Sequence, residues 1–285
     1  MRCSASSSSR PVVVDGGYCV VTGAASGIGR AVALLLAGEG RRVAVTDRDA
    51  AGVASVRDEL PDAVLDATVL DITDHDAVDR WASGLVAEHG APAEVYHVAG
   101  IAVWGDPRTL PHDEWTKVID VNLMGTVNVV EALVPAMAEA PGRCDLCCVS
   151  SAAGFLGLPW HGAYAASKGG VLGMCEVLRF DLAPHDVRVH CAVPGAVDTP
   201  LVRTIDIEGV DTDAPRAARV KGLFRGIAVT PEKAARKIVG GVRKNRYLIY
   251  TSADIRLGRW AQVNMPWAYR AVMRLLNRGL RWAAA

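Results

Sequence analysis

Apolar residues along this chain fall into two rhythms. Short, nearly continuous runs occur at 18–22 (YCVVT), 42–46 (RVAVT), 63–70 (AVLDATVL), 94–100 (EVYHVAG), 145–151 (DLCCVSS), 187–193 (VRVHCAV) and 247–251 (YLIYT). Between them, at 27–40, 50–60, 74–89, 112–140, 164–183 and 230–244, apolar positions recur every three to four residues. The first rhythm is that of strands and the second that of amphipathic helices. Their alternation predicts a parallel sheet with helices on both faces. The near-absence of polar residues within the runs fits strands covered on both sides. The expected class is therefore α/β, a doubly wound three-layer αβα sandwich on a seven-stranded parallel sheet. Local signals agree: Thr230 is placed to cap the helix at 230–244, Pro231 suits its first position and Glu232 its positive end.

Three stretches break the rhythm. Residues 1–14 (MRCSASSSSRPVVV) read as a loose tail or the product of a misassigned start, without the apolar core of a secretory signal. Residues 15–253 form the expected catalytic domain. Within it, 199–229 has mixed charge and no clean strand, and is expected to be a substrate flap with short helices. Residues 254–285 form a basic extension: Arg256, Arg259, Arg270, Arg274, Arg278 and Arg281, with no acid after Asp254.

Composition narrows the class. Over 285 residues, 51% are hydrophobic and 22% charged, enough for a sizeable core. Lys plus Arg equals Asp plus Glu, 31 each, so no global nucleic-acid footprint exists. No uninterrupted apolar stretch reaches the length of a spanning helix. Seven cysteines, an odd number, argue against a disulfide framework and for a reducing, cytoplasmic setting. Cys144, Cys147 and Cys148 lie in one strand run, and no second Cys or His pair follows at zinc spacing. They are read as core, and no metal is expected.

The stretch TGAASGIG, 22–29, lies after a strand and before a helix. A helix entrance offers unpaired N–H groups and a positive dipole end, suited to a diphosphate. Gly23 would make the turn, Gly27 admit the ligand, and Gly29 let helix and strand pack; Ser26 and Ile28 complete the cofactor-facing loop. The spacing G-x-x-x-G-x-G differs from the G-x-G-x-x-G dinucleotide fingerprint and from a Walker loop. An ordinary glycine turn is the plainer alternative. Asp47 ends the second strand, where a carboxylate can accept hydrogen bonds from both ribose hydroxyls of NAD and repel a 2′-phosphate. A helix cap is its alternative role. Arg48, next to it, suits the 2′-phosphate of NADP, so NAD is favoured and NADP stays open. Asp71 can hydrogen-bond an adenine with Ile72 packing on the ring, or simply cap the next helix.

Tyr164 and Lys168 stand four apart on an expected helix and share a face. A phenol is a poor base at neutral pH, and a neighbouring ammonium would lower its pKa. Tyr164 would then accept an alcohol's proton, or give one to a ketone, as general acid/base. Ser151, thirteen residues earlier at a strand end, would hydrogen-bond the substrate oxygen.

Taken together, TGAASGIG, VNLMGT, the pair Ser150–Ser151, YAASK and PGAVDTP resemble the short-chain dehydrogenase/reductase family in its compact form, across about residues 15–253. The resemblance implies a Rossmann-like fold and hydride transfer between a nicotinamide and an alcohol or ketone. It implies Asn122, Ser151, Tyr164 and Lys168 as the catalytic set, Asn122 holding a water against Lys168, and Lys168 on the nicotinamide ribose. It places Ala99, Gly100, Pro194, Gly195, Val197 and Thr199 beside the cofactor. One motif departs: where the family has Asn-Asn-Ala-Gly, this chain has His97-Val98-Ala99-Gly100. Val98 cannot supply the asparagine's hydrogen bonds, which puts local strand stabilisation in doubt; His97 is read as a satisfied core histidine.

Phe155, Leu158, Trp160 and Trp104, with the flap, would line an apolar cleft for a hydrophobic secondary alcohol or ketone. From Pro266, Tyr269, Val272, Met273, Leu276 and Leu280 share one helical face and the arginines another. Such a helix suits peripheral membrane contact, or covers its own domain or a twin subunit. The resemblance also implies a homodimer or homotetramer through helices 112–140 and 164–183. Two other readings stay open: a catalytically silent dinucleotide sensor or scaffold, and a membrane-surface adaptor built on 255–285.

Overall fold

The computed structural model describes residues 17–203, 207–208 and 228–284. The tail at 1–14 and most of the flap at 199–229 lie outside the described residues. In chain order the elements are β1 (Cys19–Thr22), α1 (Gly27–Gly38), β2 (Val43–Asp47), α2 (Ala50–Glu59), β3 (Val64–Val69), α3 (His75–His89), β4 (Glu94–His97), β5 (Trp104–Gly105) and α4 (His112–Ile119). A π-helical turn (Asp120–Met124) leads into α5 (Gly125–Glu139), β6 (Cys144–Val149), α6 (Gly162–Asp181), β7 (Val187–Val193), α7 (Pro200–Arg203) and β8 (Ile207–Glu208). Then come α8 (Pro231–Arg243), β9 (Leu248–Tyr250), α9 (Ala253–Asn264) and α10 (Pro266–Ala284).

Seven strands form one parallel sheet in the order β3-β2-β1-β4-β6-β7-β9. Its apolar runs are buried on both faces, as continuous runs require, except at the edge strands: β3 is half-buried with Val69 exposed, and β9 is half-buried on either side of Ile249. On one face α1, α2 and α8 close over Val21, Val45, Val56, Ile238 and their neighbours. On the other, α3, α5 and α6 close over Val20, Leu85, Leu133, Leu146 and Val171. This is the expected Rossmann-like doubly wound sandwich. Strand order reverses between β1 and β4, and the crevice beyond their carboxyl ends is where such sheets bind ligands.

Helix starts follow the local chemistry. Asp49 accepts from the Ala51 amide, Asp74 from Ala77 at 3.0 Å, and Thr230 from Lys233 at 3.3 Å. The six described cysteines are buried and unpaired by disulfides. Burial raises the thiols of Cys144, to about 11, and of Cys147. Among the described residues no cluster has the makings of a metal site. Among the described residues one helix, 112–139, is long and apolar enough by length and composition to cross a membrane, although its run is not uninterrupted. Here it packs as a core helix against α3 and α6.

Candidate active site

A cleft of about 530 Å³ opens at the β1/β4 reversal. The glycine loop forms one wall. Gly23 has φ +69° and Gly27 φ +52°, the left-handed region that favours glycine. A side chain on Gly23 would fall 2.7 Å from the Ala99 amide nitrogen, and one on Gly29 only 2.1 Å from the Gly23 carbonyl oxygen. The loop thus presses against the β4 end while α1 presses against the loop. A side chain on Gly27 would lie 2.9 Å from the Thr199 methyl, so the loop and the segment after β7 meet across the cleft. Ser26 heads α1 without a side-chain cap bond, leaving first-turn amides for an anion in the cleft.

Asp47 receives the Ala25 amide on Oδ2 and the Asp49 amide on Oδ1, each at 3.1 Å. Each oxygen has a lone pair to spare for a further donor. Asp71 accepts the Thr73 amide at 2.9 Å and hydroxyl at 2.8 Å, both on Oδ1, closing the turn into α3. Ile72 is buried beneath Gly125 and its carbonyl accepts from Asn128 at 2.9 Å. All the cofactor-side candidates, Gly23, Ser26, Gly27, Ile28, Gly29, Asp47, Arg48, Asp71, Ile72, Ala99, Gly100, Pro194, Gly195, Val197 and Thr199, line this one cleft. So do Ser151, Tyr164 and Lys168.

Asn122 does not line it. It is buried in the π-helical turn, its Oδ1 accepting from the Ile101 amide at 2.8 Å and its Nδ2 donating to the Ile101 carbonyl at 2.9 Å and Ser167 at 3.0 Å. It fastens the chain after β4 to α6. Gly100 lies against it: a side chain there would meet Asn122 Oδ1 at 2.9 Å and Lys168 Nζ at 3.1 Å. The two adjacent serines separate cleanly. Ser150 donates to the Lys168 carbonyl at 2.7 Å and is a strut, whereas Ser151 accepts the Ala153 amide on its hydroxyl at 3.2 Å and lines the cleft with Tyr164.

Burial raises the Tyr164 phenol, and the neighbouring Ser151 hydroxyl acts to lower it. Lys168 is itself buried, donates to the Val149 carbonyl at 2.9 Å, and is pushed down to about 8 by loss of solvent. An amine at that value changes protonation close to neutrality.

His97 is a satisfied core histidine, and its partners fix its tautomer. The Val98 and Ala99 amides donate to Thr22 Oγ1 at 3.1 and 3.3 Å, so the Thr22 hydrogen points to His97 Nδ1 at 2.9 Å. Thr126 gives its own hydrogen to the Asn122 carbonyl at 2.6 Å and therefore accepts from His97 Nε2 at 3.0 Å. The ring is neutral, its pKa driven to about 3 by burial and then by the Lys168 charge. It joins β1, β4 and α5, supplying the strand stabilisation that Val98 cannot.

Phe155, Leu158, Trp160 and Trp104 do not line the cleft. Phe155 packs on Tyr250, and Trp104 stacks on His161 with centroids 4.0 Å apart. Trp160, in left-handed backbone at φ 65°, lines a second cavity of about 470 Å³ beneath α10 with Met273, Arg270, Arg274 and Arg281. In their place Ile101, Ala102, Val103 and Val121 furnish apolar wall near the reactive groups. Sequence reasoning passed over them; the signal was the apolar run following Gly100.

The family model described as short chain dehydrogenase matches residues 18–208. The chain is 34% identical over 232 residues to the 3-oxoacyl-[acyl-carrier-protein] reductase FabG of Thermotoga maritima, covering 79% of this chain and 90% of that one. It is 33% identical over 260 residues to the 1-deoxy-11-beta-hydroxypentalenate dehydrogenase of Streptomyces avermitilis, covering 88% and 90%. The fold matches a short chain dehydrogenase/reductase from Burkholderia phymatum, solved in complex with NAD, with TM-score 0.75, 24% identity and coverage of 88% and 95%.

Proposed function

Because the chain belongs to the short chain dehydrogenase family, and is thus an oxidoreductase of CH–OH groups with a nicotinamide cofactor, we propose that it interconverts a hydrophobic secondary alcohol and its ketone, with NAD preferred over NADP. The observation that carries this reading is that Ser151, Tyr164 and Lys168 line the same cleft as the glycine loop.

The cleft fits a dinucleotide. The uncapped α1 entrance suits the diphosphate, and the spare lone pairs of Asp47 suit the ribose hydroxyls. When bound, a nicotinamide supplies the hydride acceptor or donor. In alcohol oxidation Tyr164 accepts the hydroxyl proton as the carbinol hydrogen leaves as hydride, and a C=O bond forms. In reduction it returns that proton to the oxygen. Ser151 hydrogen-bonds the same oxygen. Lys168 takes up or releases a proton near neutrality, and Asn122 holds the Ile101 backbone and Ser167 around it.

An apolar substrate is supported by Ile101 and Val103, which pack in one cluster with Tyr164, and by Val121 in the same cleft. One relative is named for a 3-oxoacyl substrate and another for a hydroxylated one, in keeping with this choice. Assembly into homo-oligomers through α4–α5 and α6 is part of the same reading: Met124, Val177 and Phe180 expose apolar surface there.

The decisive experiment is a screen of hydrophobic alcohols with NAD and with NADP. Turnover is expected with NAD. Tyr164→Phe should cut kcat by about a hundredfold to ten-thousandfold while NADH still quenches tryptophan fluorescence. NADH binding without turnover in the unaltered chain would favour a sensor, and equal NADPH affinity would remove the assignment to Asp47.

A further inference from the structure

We propose that α9 and α10 form a docking surface for a bilayer carrying anionic headgroups. On α9, Leu257, Trp260 and Val263 recur at helical spacing and are 65%, 52% and 62% exposed. Trp267 follows within about a turn and is 67% exposed. The inward face of α10 is met by its own domain: Tyr269, Met273 and Leu280 are partly buried. Val272 and Leu275 remain outside. The apolar surface of this helix pair therefore exceeds what its own domain covers.

Charge decides the occupant. Six arginines and no carboxylate lie between residues 255 and 285. Arg256 and Arg259 lie over the rings of Tyr250 and Phe155, whereas Arg270, Arg274 and Arg278 are exposed and pair with no described carboxylate. A two-fold contact between copies of this patch would set arginines against arginines. Anionic headgroups complement them, and tryptophan is the side chain suited to the boundary between hydrocarbon and water. The surface is also coupled to the substrate side of the fold. Gln262 donates to the Phe155 carbonyl, and the Gly157 amide donates to the Tyr269 hydroxyl, each at 2.6 Å. These bonds hold the loop running from Ser151 to Tyr164, so docking sets that loop beside the bilayer.

The test is flotation of the full chain with phosphatidylcholine vesicles, with and without phosphatidylglycerol. Binding is expected only with phosphatidylglycerol, reversed by salt, with a blue shift of tryptophan emission. Charge reversal at Arg270, Arg274 and Arg278 (to Glu) should lower partitioning by at least on the order of a hundredfold, at about a tenfold loss for each 1.4 kcal/mol. Trp260→Ser with Trp267→Ser should weaken it with the charge intact. NADH affinity, read at the remote cleft, reports folding of each variant, and Trp267→Ser alone serves should a multiple variant fail there. No binding to phosphatidylglycerol vesicles, or equal binding to both kinds, overturns the proposal. So does a tryptophan variant that turns a dimer into a monomer by light scattering, which assigns the face to a second copy.

Discussion

His97 shows how a single residue departs from its family pattern without loss of order. Its ring bridges two threonines, and its low pKa makes a pH prediction with a definite sign. Between about 3 in the folded chain and 6.5 in the unfolded one, the unfolded state binds the extra proton. Stability therefore falls as pH drops through that window, by about 1.4 kcal/mol per unit from this residue. His97→Asn removes the titration while keeping a donor and an acceptor. Its acid unfolding curve, followed by circular dichroism, should be shallower between those limits; an unchanged slope would show that His97 is not the group responsible. At this scale the sequence was legible where chemistry is local: Tyr164 and Lys168 share a helix face by spacing alone. Asn122 was reached only through the family resemblance, because its partner Ile101 comes from another element and its position needs a π-helical turn. Nor did the aromatic residues at 104, 155 and 160 declare which cavity they face, because a hydrophobic side chain suits a core and a cleft equally.

At the scale of elements, α1 carries two glycines with opposite expectations. Gly29→Ala would thrust a methyl against the Gly23 carbonyl oxygen, a backbone atom that cannot step aside. The loss should be on the order of 3 kcal/mol or more, with NADH binding lost alongside. Gly38→Ala, where nothing lies within 4 Å, should instead stabilise by about 0.5–1 kcal/mol. Urea titration of both variants checks the pair, and a tolerated Gly29→Ala would contradict the packing described. The alternation of strand runs and helical patterns was readable because each long element repeats its period several times. Two-residue strands such as β5 and β8 repeat nothing, and α9 presents its apolar positions to solvent, so neither announced itself.

For the whole molecule, the link between the C-terminal helices and the loop that joins Ser151 to Tyr164 is long-range and invisible to any window along the sequence. Tyr269 and Gly157 are separated by 112 positions. Tyr269→Phe leaves that amide without its partner, and amides at 155–160 should exchange about tenfold faster, close to the worth of one hydrogen bond. KM for apolar alcohols should rise more than kcat falls, with NADH affinity unchanged; equal exchange in both proteins would sever the link. The arginines of this end have a further consequence. Positive and negative side chains cancel over 285 residues, so the rest of the chain carries a matching excess of six acidic side chains. The C-terminal helices are consequently a concentrated basic region on a chain of zero formal net charge. Near neutral pH the protein should bind a cation exchanger through them, a behaviour that a sequence-derived isoelectric point of about 7.0 would not suggest.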